Sequence, residues 1–187
     1  MQKYLALFRG INVSGKNIIK MEGLRKVMAN AGYTDVATYI QSGNVVFIAT
    51  EPDKDIVRQH IEALVEKEYN LSIAIFIFDE ADMHRALFLN PFAGPDDIEE
   101  GIKKLYVTFL SGIPEAGYYE KLLQAPIGED EIVLKDDILY FKLAGKASDS
   151  KLSNNLIENK LKLRATTRNW NTTIKLYGML KETGSKS

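Results

Sequence analysis

The chain contains no cysteine. That excludes disulfides, thiolate catalysis and cysteine-held zinc or iron–sulfur groups. Histidine is scarce, with two in 187 residues. His60 lies one residue off the apolar face of a predicted helix, and neither it nor His84 has metal-ligand spacing to another histidine or carboxylate. No Ser-His-Asp arrangement is recognisable, and the residues identify no metal and no cofactor. Long apolar runs are also missing: nothing approaches the roughly 20 residues of a membrane helix. The amino terminus enters a strand pattern directly, without the layout of a signal peptide. The expectation is a cytoplasmic protein with no membrane partner. Tryptophan occurs once, at Trp170, and is expected in the core rather than as a base-stacking platform.

The composition is that of an ordinary globular protein, 45% hydrophobic and 26% charged, long enough for one medium domain or two small ones. The net charge is −1, unevenly spread. Residues 1–79 hold nine basic and nine acidic side chains, 80–141 hold five against thirteen, and 142–187 hold ten against three. Such asymmetry marks either a surface for anions or two stretches that offset each other.

Periodicity gives the order of elements. An apolar strand ends at Phe8, and a helix carrying Met21, Leu24, Val27, Met28 and Ala31 stops at Gly32. Strands over Val36–Gln41 and Val45–Ala49 flank Ser42-Gly43-Asn44, a hairpin turn signal. A helix opened by Asp53 follows. Leu71–Phe78 is then apolar almost throughout, which suits a strand buried on both faces or central in a sheet. After a helix near 80–89 and an acidic connector, the pattern repeats. A strand covers Leu105–Leu110, a helix follows Pro114, and a hairpin turns at Lys135-Asp136-Asp137. A short helix over Leu152–Lys160, a strand over Leu161–Thr166 and a final helix complete it. Each half reads β-α-β-β-α-β, the split βαβ unit. The expectation is an α+β protein of two tandem ferredoxin-like units, with antiparallel sheets and helices on one face. The first unit spans 1–79, a linker helix and acidic connector 80–102, and the second unit with a C-terminal helix 103–187.

Three polar clusters are candidates for function. The first is Arg9-Gly10-Ile11-Asn12-Val13-Ser14-Gly15-Lys16-Asn17. Gly10-x-x-x-x-Gly15-Lys16 fits the first part of a phosphate-binding P-loop and follows a strand. Asn17, however, stands where Ser or Thr would hold Mg²⁺, the next helix begins about four residues late, and the split βαβ order is wrong for that fold. The stretch is therefore a different anion-binding loop, or a structural turn in which Asn12 and Asn17 bond local backbone. The second cluster is Ser42-Gly43-Asn44, read either as plain turn residues or as Ser42 and Asn44 facing the same cleft as Arg9. The third is Thr166-Thr167-Arg168-Asn169-Trp170-Asn171-Thr172. With Thr166 or Thr167 as N-cap, Arg168 falls in the first helical turn, where the dipole disfavours a cation and implies an anionic partner, internal or bound.

Together, Arg9-Gly10-Ile11-Asn12-Val13-x-Gly15-Lys16-Asn17, Met21, Thr38-Tyr39-x-Gln41-Ser42-Gly43-Asn44-Val45-Val46-Phe47, Asn90-Pro91-Phe92 and Thr167-Arg168-Asn169-Trp170-Asn171-Thr172 resemble the bacterial domain-of-unknown-function family numbered 1697. The resemblance covers nearly the whole chain; Ser14 stands where the family commonly has Gly. It implies a small cytosolic protein of two α+β units and supplies no reaction. Its motifs coincide with the polar clusters, which points to one site holding Arg9, Asn12, Lys16, Asn17, Ser42, Asn44, Arg168 and Asn169, with Arg9, Lys16 and Arg168 converging on an anion. The expected ligand is a nucleotide, a phosphometabolite or a nucleic-acid segment, the last carried by 142–187 through Lys146 and Lys151. The rivals are an enzyme acting on a phosphorylated substrate without a covalent nucleophile, and a protein-interaction module. Oligomeric state is not legible.

Overall fold

The computed structural model of the chain describes residues 1–94, 96–97 and 104–182. Of the expected connector, Pro95 and residues 98–102 lie outside the described residues, as do 103 and 183–187. The elements run β1 (Gln2–Phe8), α1 (Met21–Asn30), β2 (Thr34–Tyr39), β3 (Asn44–Ala49), α2 (Lys54–Tyr69), β4 (Ile75–Phe78) and α3 (Glu80–Phe88). They continue with β5 (Leu105–Leu110), α4 (Ala116–Leu123), β6 (Glu131–Lys135), β7 (Ile138–Lys142), α5 (Asn154–Leu161), β8 (Ala165–Asn169) and α6 (Trp170–Lys181).

The chain forms two four-stranded antiparallel sheets, ordered β2-β3-β1-β4 and β6-β7-β5-β8. The second order is the first shifted by four strands. In the first sheet β1 is central and apolar on both faces, which is why its sequence does not alternate. Tyr4, Ala6 and Phe8 share one core with Met21, Leu24 and Met28 of α1 and Val57, Ile61 and Val65 of α2. Leu5 and Leu7 point the other way by the two-residue strand period and are also fully buried. Each such aliphatic side chain contributes about 1.5–3 kcal/mol on burial. Asp53 caps α2, its carboxylate accepting from the Asp55 and Ile56 N–H groups, and Asn70 ends it in the left-handed region. The apolar run Leu71–Phe78 is shorter as a strand than its sequence suggests, and β4 lies at the sheet edge. Its hydrophobicity reflects burial of both faces rather than a central place.

In the second sheet Leu110, Leu139, Phe141 and Leu143 form a core with Leu122 of α4 and Ile157 and Leu161 of α5. The strand expected over Leu161–Thr166 begins later. Leu161 closes α5, Lys162 turns left-handed at φ 59°, and β8 runs to Asn169.

The compact units also differ from the expected division. One comprises Met1–Met83 with the chain from Leu176 onward, the other His84–Lys175. The linker helix α3 is thus split between units, and the end of α6 returns to the first. Lys3 of β1 holds it there, its ammonium donating to the carbonyls of Met179 (2.7 Å) and Glu182 (2.6 Å). Apolar spacing along α6 reveals a buried face but not which sheet that face serves.

Candidate functional site

The loop between β1 and α1 is a small ordered hairpin. Val13 and Lys16 form an antiparallel bridge around Ser14 and Gly15, at φ 50° and 72°. Two consecutive positive φ values make the tight turn that twists with its flanking strands. The Lys16 N–H donates to the Val13 carbonyl (2.9 Å) and the Asn12 N–H to the Asn17 carbonyl (3.1 Å). Helix α1 starts only at Met21, so the P-loop geometry, a glycine loop running straight into a helix, is absent.

Asn12 clamps this hairpin. Its amide nitrogen donates to the carbonyls of Ile19 (2.9 Å) and Gln41 (2.8 Å), and its Oδ1 accepts from the Ile19 N–H (2.9 Å). Asn17 donates to the Gly10 carbonyl (3.0 Å). Ile11 and Ile19 plug the loop ends into the first core, whereas Val13, Ile18 and Lys16 are exposed. Asn44 is fully buried at the start of β3 and donates to the Tyr39 carbonyl and to Ser42 Oγ (both 3.0 Å). Gly43, at φ 74°, is packed so closely that a Cβ there would stand 2.6 Å from Phe8 Cβ and 2.7 Å from Ile11 Cδ1. The asparagines read from the sequence as ligand contacts thus hold the loop and turn against each other.

The opening beside them has another lining. A cavity of about 360 Å³ lies between the start of α1 and the β2–β3 turn, bordered by Lys20, Glu22, Arg25, Thr38, Ile40 and Gln41. Arg25 donates to Thr38 Oγ1 (2.6 Å). Among the described residues neither Lys20 nor Arg25 has a carboxylate partner, and the only carboxylate there, Glu22, is paired with Lys26 (2.7 Å). No side chain caps the start of α1. Ile40 is half exposed at φ 50°. A β-branched residue in the left-handed region is costly and persists only when its surroundings impose it. The sequence offered one signal for this groove, an isoleucine in a turn, and the cations Lys20 and Arg25 lay outside the recognised clusters.

The third cluster departs from expectation. Arg168 lies in strand β8, not in a helical turn, and Asn169 is the N-cap of α6, its Oδ1 accepting from the Thr172 N–H (2.8 Å). The helix-dipole argument for an anionic partner therefore lapses. Arg168 is 8% exposed and donates to Thr166 Oγ1 (2.9 Å) and the Thr167 carbonyl (2.8 Å). Burial lowers its pKa to about 10, which still leaves it charged at neutral pH. Trp170 is fully buried and donates to the Asp97 carbonyl (3.0 Å). Arg9, Asn12, Lys16, Asn17, Ser42 and Asn44 belong to the first unit, Arg168 and Asn169 to the second.

Among the described residues no three His, Asp or Glu side chains gather as a metal site, and no helix is long and apolar enough to cross a membrane. The family described as "Protein of unknown function (DUF1697)" matches residues 1–140. Among solved structures, the chain is similar to the conserved bacterial protein SP0830 from Streptococcus pneumoniae. The identity is 23%, the TM-score 0.70, and the match covers 96% of this chain and 98% of that one. At that identity the likeness is one of fold. No curated protein matches.

Proposed function

The chain belongs to the DUF1697 family of proteins of unknown function, and on that premise we propose that it binds an anionic ligand in the groove at the start of α1. One observation carries the reading: Lys20 and Arg25 border the cavity without a carboxylate partner of their own. Two cations held close repel each other unless an anion sits between them. The uncapped helix start adds backbone N–H donors, and Thr38 and Gln41 add neutral groups that orient a ligand. Arg9, Lys16, Ser42 and the three asparagines supply the frame: the asparagines hold the loop and turn, and Lys16 at the exposed hairpin adds positive potential. The phosphate of a nucleotide or phosphometabolite matches these donors. The strand orders support a finer reading of the fold, two ferredoxin-like units arisen by duplication, because each sheet has its third strand between the first two.

Thermal shifts test the reading, since a ligand that binds the native state raises the melting temperature by mass action. The probes are inorganic phosphate, mononucleotides, phosphosugars and short RNA and DNA. An anion that raises the melting temperature of the wild type but not of the Lys20→Ala/Arg25→Ala double variant supports the groove. Equal responses from both proteins overturn it.

A second reading, an interaction module, rests on the exposure of Val13, Ile18 and Ile40 beside these cations. Replacing Val13 and Ile18, which do not line the groove, by serine leaves small-anion binding intact under the first reading. Under the second it abolishes capture of a partner segment.

A further inference from the structure

A second cavity, of about 230 Å³, opens in the His84–Lys175 unit. It is smaller than the roughly 300–1,000 Å³ pockets that take drug-sized ligands, so its size suits a single ring system. Tyr106 and Phe141, cross-strand partners on β5 and β7, line it. Their rings stack on each other at 4.9 Å and lie within 7° of parallel, so each covers one face of the other and the pair keeps its outer face. Leu143 and Leu152 add apolar surface, and Asn154 and Thr167 add polar groups.

The hydrogen bonds there have a fixed direction. Thr167 Oγ1 lies 2.6 Å from Asn154 Oδ1, which only accepts, so the Thr167 hydroxyl proton points to Asn154. Thr167 Oγ1 is then left to accept from Thr108 Oγ1, 2.8 Å away. This chain orients the Asn154 amide, placing its oxygen on Thr167. Its NH₂ group has no partner among the described residues. A stacked aromatic pair and an amide donor lining one cavity match a planar ring that bears a hydrogen-bond acceptor. Lys146 and Lys151 flank the cavity-lining residues Ala147 and Ser150, are exposed, and have no carboxylate partner among the described residues.

We propose that this cavity takes a nucleobase on the outer face of the stacked Tyr106–Phe141 pair, read by the Asn154 amide, with the attached phosphate held by Lys146 and Lys151. Stacking tolerates any base because each has a π-face, and the amide favours bases with an acceptor at the edge. The site is separate from the α1 groove and does not depend on it. The base–phosphate unit has two sources, a free nucleotide or a single strand, and the experiment distinguishes them.

Saturation-transfer NMR on the full chain with nucleosides, nucleoside monophosphates and short single-stranded RNA gives the test. Base protons of the monophosphates are expected to receive saturation at millimolar concentration. Asn154→Asp keeps the acceptor for Thr167 and suits a helix start, but removes the donor; binding is expected to fall about ten-fold. Lys146→Ala/Lys151→Ala weakens the monophosphates and leaves the nucleosides unchanged. A strand that binds more tightly than its monophosphates, with the same loss in Asn154→Asp, identifies the strand as the source. Equal affinities identify the free nucleotide. Absence of saturation from every base-bearing probe, or binding that Asn154→Asp does not alter, overturns the proposal. Lys20→Ala/Arg25→Ala leaves this binding untouched, so its failure and that of the α1 groove are told apart.

Discussion

After β1 the first unit takes residues 9–20 to reach its first helix; after β5 the second takes only 111–115. The frames around these connections match bond for bond. The Phe8 N–H donates to the Gly43 carbonyl (2.8 Å), and the Leu110 N–H donates to that of Asp137 (2.9 Å). The Arg9 N–H donates to the Ala74 carbonyl and the Ser111 N–H to that of Arg164, both at 2.9 Å. The fourth strands also end alike. Asp79 Oδ1 accepts from the Asp82 N–H (2.9 Å) and Asn169 Oδ1 from the Thr172 N–H (2.8 Å), so each strand passes directly into a capped helix. The short connection shows that this frame closes without a long loop. The loop at 9–20 is therefore an elaboration, ordered by its own clamps, and the groove with Lys20 and Arg25 forms beside it.

The sharpest test of that difference is Gly43→Ala. Its counterpart in the second unit, Asp137, carries a Cβ, whereas at Gly43 the long loop's Ile11 and Phe8 of β1 leave no room. With the backbone at φ 74°, the substitution is expected to cost about 3 kcal/mol or more in urea unfolding. A cost below about 1 kcal/mol would show that the loop does not press on the turn.

Asn12→Ala comes next. It removes three hydrogen bonds and leaves the Gln41 and Ile19 carbonyls without their donor, an expected loss of about 2 kcal/mol. Hydrogen exchange at the Ile19 N–H should quicken while exchange in β5 and β7 is unchanged. If exchange quickens in both places together, the loop is not an independent elaboration. Gly15→Ala is milder: its Cβ would meet nothing within 4 Å, so only the positive φ opposes it, at about 1 kcal/mol.

The smallest expected effect concerns the two caps. Burial alone would raise the Asp79 pKa, but hydrogen bonds from Lys54 and from the Asp82 backbone outweigh it and hold it below the ordinary 3.8. Lys54 pairs with Asp79 (2.6 Å) and also with Asp82. A carboxylate depressed in the folded state stabilises above its unfolded pKa and ceases to do so as pH falls through the folded one. Stability should thus decline from about pH 4 downward. Asp79→Asn keeps the cap and flattens that acid limb, and Asn169→Asp adds a titrating cap where the native one is neutral. Acid unfolding curves that coincide for all three proteins would remove Asp79 from the account.

Much of this protein was legible in the chain. Two β-α-β-β-α-β successions, two antiparallel sheets and the α+β class follow from periodicity and turn chemistry, because local spacing dictates which face of each element is apolar. The loop at 9–17 was recognisable as a special segment, since its glycines and asparagines suit positive φ. What those asparagines do was not. Asn12 bonds Gln41 across 29 positions, and only the tertiary structure brings that carbonyl within reach. Arg168 was misplaced because Asn169 competes with Thr166 and Thr167 as cap, and sheet pairing with Val107 extends the strand past them. The return of α6 to the first unit and the cavity beside Lys20 and Arg25 are likewise products of packing. An amphipathic pattern specifies that a face is buried and is silent about its partner, so local order came from the sequence and the neighbours came from the fold.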